Sequence, residues 1–260
     1  MVFKSQSEAT EELNKLAATN RQSVIIEGPS GCGKSYLSKE YANMLQVTDY
    51  MIVQPKVAEI REALDSSQEL GTPVVLCIEN LDLGVAAASY TLLKSLEEPA
   101  PNVYIVITCR NMKIIPDTIV SRSAVITVGP PTNDDIDLYG QAKNKLKFNL
   151  VKERLVWQCA RSFADADAVL EMANEEVDYY ESLSELCHFK DNIANMTWTI
   201  GHYKSGKDCN IELAIRSIME LMHKPFITQI GIQCLRDLNQ GRIAQHAVLA
   251  KFLFNAKYCE

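Results

Sequence analysis

Gly28-Pro29-Ser30-Gly31-Cys32-Gly33-Lys34-Ser35 follows directly on the apolar run Val24-Ile25-Ile26-Glu27. Three glycines within eight residues let a backbone curl until its amide N–H groups face one point. A lysine and a hydroxyl close the stretch where a helix should begin. That combination suits a polyphosphate: the amides and the Lys34 ammonium meet phosphate oxygens, and the Ser35 hydroxyl is placed for Mg²⁺. A merely structural glycine turn is the competing reading. The apolar strand before the glycines and the amphipathic segment after them argue against it. The expected ligand of the residues from Gly28 to Ser35 is therefore a nucleoside triphosphate with Mg²⁺.

Such a site also needs an acid at the end of a neighbouring buried strand. Val74-Val75-Leu76-Cys77-Ile78 is an unbroken apolar run that ends in Glu79, the expected second Mg²⁺ contact beside Ser35. Many ATPases of this layout place a second carboxylate next, where it polarises the attacking water. Here the residue is Asn80, a neutral amide that cannot take up a proton as a carboxylate does. If Asn80 lies at the water, hydrolysis should be slow while binding survives. The alternative is that Asn80 caps a turn and that Asp82 or another acid assists.

The elements that must hold these residues can be read from periodicity. Helices are expected over 7–18, with Ser7 or Thr10 as caps, and over 36–45, 57–64 and 86–97. Strands are expected over 24–27, 50–53, 74–78, 103–108 and 124–128, those at 24–27, 74–78 and 103–108 being unbroken apolar runs, with a short helical piece over 114–120. Alternating buried strands and helices predict a parallel sheet covered on both faces. Gly129-Pro130-Pro131-Thr132-Asn133-Asp134-Asp135 combines breakers with capping residues and marks a domain boundary. Beyond it helical spacing dominates, over 136–145, 151–162, 165–180, 211–222, 227–238 and 243–255. The expected division is an α/β nucleotide-binding domain over 1–130, a small helical domain over 131–190 and a second helical domain over 195–260.

At 260 residues and 47% hydrophobic the chain can bury a full core, and no apolar run approaches the ~20 residues of a membrane span. Met1 to Glu8 lacks the apolar centre of a signal peptide, so the expected location is the cytoplasm, or the host cytoplasm for a viral protein. The eight cysteines form no CxxC pair and read as free thiols, and the four histidines offer no zinc spacing. A net charge of −7 argues against a protein coated in nucleic acid but allows a local basic stripe.

From Glu79 onward the chain resembles the AAA+ module of DNA polymerase clamp loaders: the bacterial delta-prime and gamma/tau subunits, the replication factor C small subunits and their phage counterparts. Leu92-Leu93-Lys94-Ser95-Leu96-Glu97-Glu98-Pro99 matches the family's LLKxLEEP helix end, and Ile119-Val120-Ser121-Arg122-Ser123 stands where the family has Ser-Arg-Cys. The likeness is strong over about 20–128 and topological beyond. It implies a P-loop AAA+ module followed by a helical lid and a C-terminal helical collar. It also implies that Arg122 is an arginine finger reaching a neighbouring subunit's ATP. Read alone, an arginine after Val-Ser is more often a solvated strand-end charge.

The departures from the family pattern agree with one another. Glu79 replaces an aspartate and Asn80 the catalytic glutamate. Arg110 stands in the nucleotide-sensing position that is usually small and polar, an arginine there resembling delta-prime, and Asp167 stands where the lid normally carries a sensor arginine. The cysteine-rich zinc insert of many cellular relatives is absent, which favours a viral or streamlined version. The resemblance implies other loader subunits as partners, in a hetero- or homo-oligomer of five, together with a sliding clamp and primer–template DNA. The DNA candidates are Lys56, Arg61 and Lys94, each of which also reads as an ordinary solvated charge. Residues 227–255 could form a helical hairpin whose last helix hides its apolar side against a partner. A nucleotide-stabilised scaffold without turnover, and a helicase-loader or initiator-type protein, are the competing functions.

Overall fold

Five strands pair in parallel in the order β2-β3-β4-β1-β5: β1 Ser23–Glu27, β2 Asp49–Val53, β3 Val74–Ile78, β4 Val103–Cys109 and β5 Ala124–Thr127. The computed structural model describes residues 3–69, 71–143, 157–172, 211–222, 224–239 and 245–258. Parallel neighbours need crossovers, and helices supply them: α1 Ser7–Ala18, α2 Lys34–Met44, α3 Val57–Glu69, α4 Ala86–Glu97 and the single turn α5 Asp117–Val120. Side chains alternate across each strand. Val24 and Ile26 of β1, Val75 of β3 and Val106 of β4 therefore meet Leu13 of α1 and Leu37 and Tyr41 of α2. Ile25, Leu76, Ile78, Ile105 and Ile107 point the other way, onto Ile60 of α3, Leu92 and Leu96 of α4, and Ile119 of α5. Burial on both faces explains why β1, β3 and β4 read as continuous apolar runs rather than as alternating ones, whereas the edge strands β2 and β5 expose Met51, Ile52 and Val125.

The local signals behave as their chemistry dictates. Three alanines open α4, and Pro99 forces Glu98 out of helical geometry (φ −125°, ψ 72°), so the helix stops at Glu97. The stretch expected as one short helix over 114–120 is a 3-10 turn at Met112–Ile114, then extended backbone at Ile115, then α5 after Pro116. Neither Ser7 nor Thr10 caps α1. Their hydroxyls donate backwards, to Lys4 O and Gln6 O, because a preceding 3-10 turn at Lys4–Gln6 already feeds the helix. Thr132 and Asp135 form a reciprocal cap at the start of α6 (Asn133–Ala142). Asp135 N donates to Thr132 Oγ1, and Asp135 Oδ2 accepts from Thr132 N and Oγ1. The same carboxylate accepts the amides of Lys4 and Ser5, tying the first turn of the chain to residue 135. Burial opposes ionisation of Asp135, yet these hydrogen bonds hold its pKa below the usual carboxylate value.

The chain divides into two compact units at Asp135–Ile136. The second unit contains α7 Phe163–Met172, α8 Ile211–Met222, α9 Pro225–Asn239 and α10 Gln245–Tyr258. Trp157, Val169 and Leu170 share one apolar cluster with Ile215 and Ile218 of α8, Cys234 of α9, and Val248, Leu249, Phe252 and Leu253 of α10. The helices expected of a lid and of a collar thus contribute to a single core, and the stretch between them, 173–210, lies outside the described residues. The apolar side of α10 differs from expectation. It is buried on the chain's own α8 and α9 rather than left for a partner, since a lone hairpin cannot remove that much apolar surface from water. Lys251 Nζ of α10 also reaches Asp237 Oδ2 of α9 at 2.6 Å. Among the described residues no helix is long and apolar enough to cross a membrane.

Candidate nucleotide site and the opposite sheet edge

β1 delivers the chain into the phosphate loop, and β4 and β5 hold the loop's first turn. Gly28 N donates to Cys109 O at 3.1 Å, and Val128 N donates to Glu27 O at 2.7 Å. A Cβ on Gly28 would stand 2.6 Å from Val128 O and 2.9 Å from Cys32 Sγ, so only glycine fits there. Gly31 and Gly33 take φ of 70° and 94°, and the left-handed turn at Gly33 starts α2 at Lys34. No side chain caps α2. Its first amides point outward and its positive end faces the loop, which is the arrangement an anion requires. Pro29 and Ser30 are exposed at the tip, whereas Cys32 is buried and packs the loop onto the core. Burial pushes the Cys32 thiol up, and the Cys109 thiol beneath the loop up to about 12, so both stay neutral. Gln6 Nε2 donates to Cys32 O at 2.8 Å, a support that no motif in the sequence announced.

Lys34 is 7% exposed, and its Nζ donates to Gly28 O (2.8 Å) and Pro29 O (2.7 Å). Burial lowers its pKa, as expected of an ammonium whose described partners are neutral carbonyls. Phosphate oxygens would supply the missing charge. Across the loop, Ser35 Oγ donates to Glu79 Oε1 at 2.5 Å, and Glu79 N is anchored on Val53 O at 3.0 Å. A hydroxyl and a carboxylate together are hard oxygen donors of the kind Mg²⁺ selects. The residues present therefore fit a Mg²⁺-bound triphosphate. Behind Ser35, Ser38 Oγ donates to Ser35 O (2.8 Å) and lies 2.6 Å from Tyr50 Oη, fixing the turn from beneath.

Asn80 sits in left-handed backbone (φ 49°, ψ 53°), and its amide N donates to Thr108 Oγ1 at 2.9 Å. Asparagine tolerates that conformation better than most residues, so Asn80 does serve the turn. Thr108 is the one polar residue inside the apolar β4 run, a signal the sequence offered. Asp82 Oδ2 accepts from Arg110 N at 3.1 Å, and its Oδ1 is buried with no hydrogen-bond partner among the described residues. Arg110 is exposed, and its charge is near enough to depress the Lys34 pKa further. The fold thus gathers the loop, Glu79, Asn80 and Arg110 at the C-terminal edge of the sheet.

Arg122 is not among them. It precedes β5, whose Ala124 pairs with Val24 near the start of β1, so it lies at the N-terminal edge. Arg21 Nη2 donates to Arg122 O (3.0 Å), and Ser123 Oγ lies 2.6 Å from Ser23 Oγ, which confirms the placement beside the first residue of β1. The five residues of β1 separate that edge from the phosphate loop by about 16 Å. The guanidinium is 2.7 Å from Glu97 Oε1 through Nη2, and donates from Nη1 to Thr118 O at 2.7 Å.

Of the DNA candidates, Lys56 is exposed and pairs with Glu59 at 2.7 Å, while Arg61 on α3 and Lys94 on α4 are exposed on helices that share one face of the sheet. In the second unit Asp167 accepts from Tyr139 Oη at 2.9 Å and lies 3.3 Å from Lys143 Nζ.

Residues 39–132 match a protein-family model described as DNA polymerase III, delta subunit. The match opens inside α2, past Lys34 and Ser35, so the phosphate loop rests on its own motif and geometry. A gamma subunit-related protein of DNA polymerase III from Thermotoga maritima superposes with a TM-score of 0.61, at 17% identity over 95% of this chain and 98% of that one. The fold is that of an AAA+ module. Two further solved structures mark the breadth of the likeness. The RuvB Holliday junction branch migration motor of T. maritima has a TM-score of 0.52 at 14% identity, covering 94% of this chain and 80% of that one. AMPPCP-bound DnaA from Aquifex aeolicus has a TM-score of 0.51 at 12% identity, covering 99% and 95%. No curated protein sequence matches the chain significantly. At these identities the structural likeness speaks for the fold alone.

Proposed function

We propose that this AAA+ chain is an ATP-binding subunit of a clamp-loader-type complex, which places a sliding clamp on primer–template DNA. ATP acts at the joint between subunits. Gly28–Ser35 and Glu79 of one chain bind the Mg²⁺-nucleotide, and Arg122 of the next offsets charge on its γ-phosphate. The observation that carries the reading is the position of Arg122 on the sheet edge opposite Lys34. An arginine about 16 Å from its own phosphate loop can serve a nucleotide only in another chain. Intrinsic hydrolysis is weak, because Asn80 offers an amide where a proton acceptor is needed. Lys56, Arg61 and Lys94 are the groups that would meet DNA phosphates from the α3–α4 side. The assembly is an oligomer of five, with copies of this chain or related subunits.

The test is paired. Lys34→Ala should abolish nucleotide binding measured with a fluorescent ATP analogue. Arg122→Ala should leave that binding intact but reduce turnover of the assembled complex. Equal turnover in wild type and Arg122→Ala would remove the trans role. A second reading, a nucleotide-stabilised stator that hydrolyses nothing, is favoured by Asn80, whose backbone is committed to the β3 turn, and by Asp167 in place of a sensor arginine.

A further inference from the structure

We propose that Glu97 is a positioning residue for Arg122, holding its guanidinium ready for a neighbouring chain's triphosphate. The inference rests on the trans role of Arg122 given above and adds the group that orients it. Glu97 is the last residue of α4, where a carboxylate meets the negative end of the helix and is disfavoured. Its Oε1 lies 2.7 Å from Arg122 Nη2, and that cation offsets the unfavourable placement. Arg122 Nη1 donates to Thr118 O at 2.7 Å, one helical turn back. The planar fork is therefore gripped at both terminal nitrogens, by a charge from α4 and a carbonyl from α5. Leu92 and Leu96 of α4 pack with Ile115 and Ile119 in one core, so the two supports keep a constant separation.

The pair is not built for stability. Its side chains are 35% and 52% exposed, a range in which ion pairs contribute little to folding. What it does achieve is orientation. A free arginine samples many rotamers, whereas this one presents Nε–H and its outer N–H groups from a fixed plane. A guanidinium can serve a carboxylate with one nitrogen and a phosphate with another, so Glu97 need not release it. The acidic Glu97-Glu98 pair before Pro99 thus gains a task distinct from ending the helix.

The experiment compares Glu97→Ala, Glu97→Asp and Arg122→Ala in the full chain assembled in ATP, reading turnover, nucleotide affinity and melting temperature. Misplaced catalytic groups cost up to a hundredfold, so Glu97→Ala should lower kcat roughly ten-fold while KM stays within about two-fold. Its melting temperature should stay close to wild type, Glu97→Asp should recover part of the loss, and Glu97→Ala in an Arg122→Ala background should cost nothing more. Turnover in Glu97→Ala equal to or above wild type, with Arg122→Ala impaired, would overturn the positioning role and leave the trans role standing. Unchanged turnover in Arg122→Ala would overturn both.

Discussion

Two impaired variants of this chain should restore one another when mixed. Lys34→Ala removes the ammonium that closes the phosphate loop but keeps Arg122, and Arg122→Ala does the converse. Because the two side chains lie on opposite edges of the sheet, no single chain can use both on one nucleotide. A working joint needs an intact loop from an Arg122→Ala chain and an intact guanidinium from a Lys34→Ala chain. In an assembly of copies of this chain with one kind of head-to-tail interface, random mixing at equal amounts makes about a quarter of the joints complete. Recovery should follow the product of the two fractions, peaking at equal amounts and vanishing at either end. If the pair acted within one chain, every mixing ratio would give zero. The assay is phosphate release at fixed total chain concentration, with light scattering to confirm mixed assemblies. Mixed assemblies without recovery at any ratio would refute the argument, as would wild-type turnover by Arg122→Ala alone.

Three further outcomes test other parts of the molecule. Asn80→Glu should raise turnover about ten- to a hundred-fold if a proton acceptor is what the site lacks, and leave it flat in a true stator; steady-state hydrolysis decides. The depressed pKa of Asp135 means that its contribution to stability is complete above its unfolded pKa and is lost as pH falls through the folded value. Melting should therefore become steeply pH-dependent in the acid range below the ordinary carboxylate pKa, and Asp135→Asn should flatten that dependence. Phe252 is fully buried among the helices of the second unit, so Phe252→Ala should destabilise that unit by about 3–5 kcal/mol, read by calorimetry, with nucleotide binding retained.

The elements of the first unit were legible because each carries a local signal. The β-branched runs of β1, β3 and β4, the alanine start and proline stop of α4, and the glycines of the loop act through neighbours in the chain. Caps and turns were less legible. Ser7 and Thr10 look like caps in isolation, but the 3-10 turn before them changes which backbone groups are left unpaired. Gln6 on Cys32 O and the Asp135 tie to Lys4 and Ser5 join positions far apart in sequence, and polar residues of common type leave no pattern to find.

The amino-acid order alone determined that this chain has a phosphate loop, a neutral Asn80 after its acidic strand end, and an arginine in a family-like setting, since residue type and short spacing define all three. Only the tertiary structure decided where they stand relative to one another. Parallel pairing of β1 with β4 and β5 sends every strand end to one edge and every strand start to the other, so Glu79 meets Ser35 while Arg122 is carried away from Lys34. This separation, fixed by strand direction and by the rise of each residue, keeps Arg122 away from the phosphate loop of its own chain.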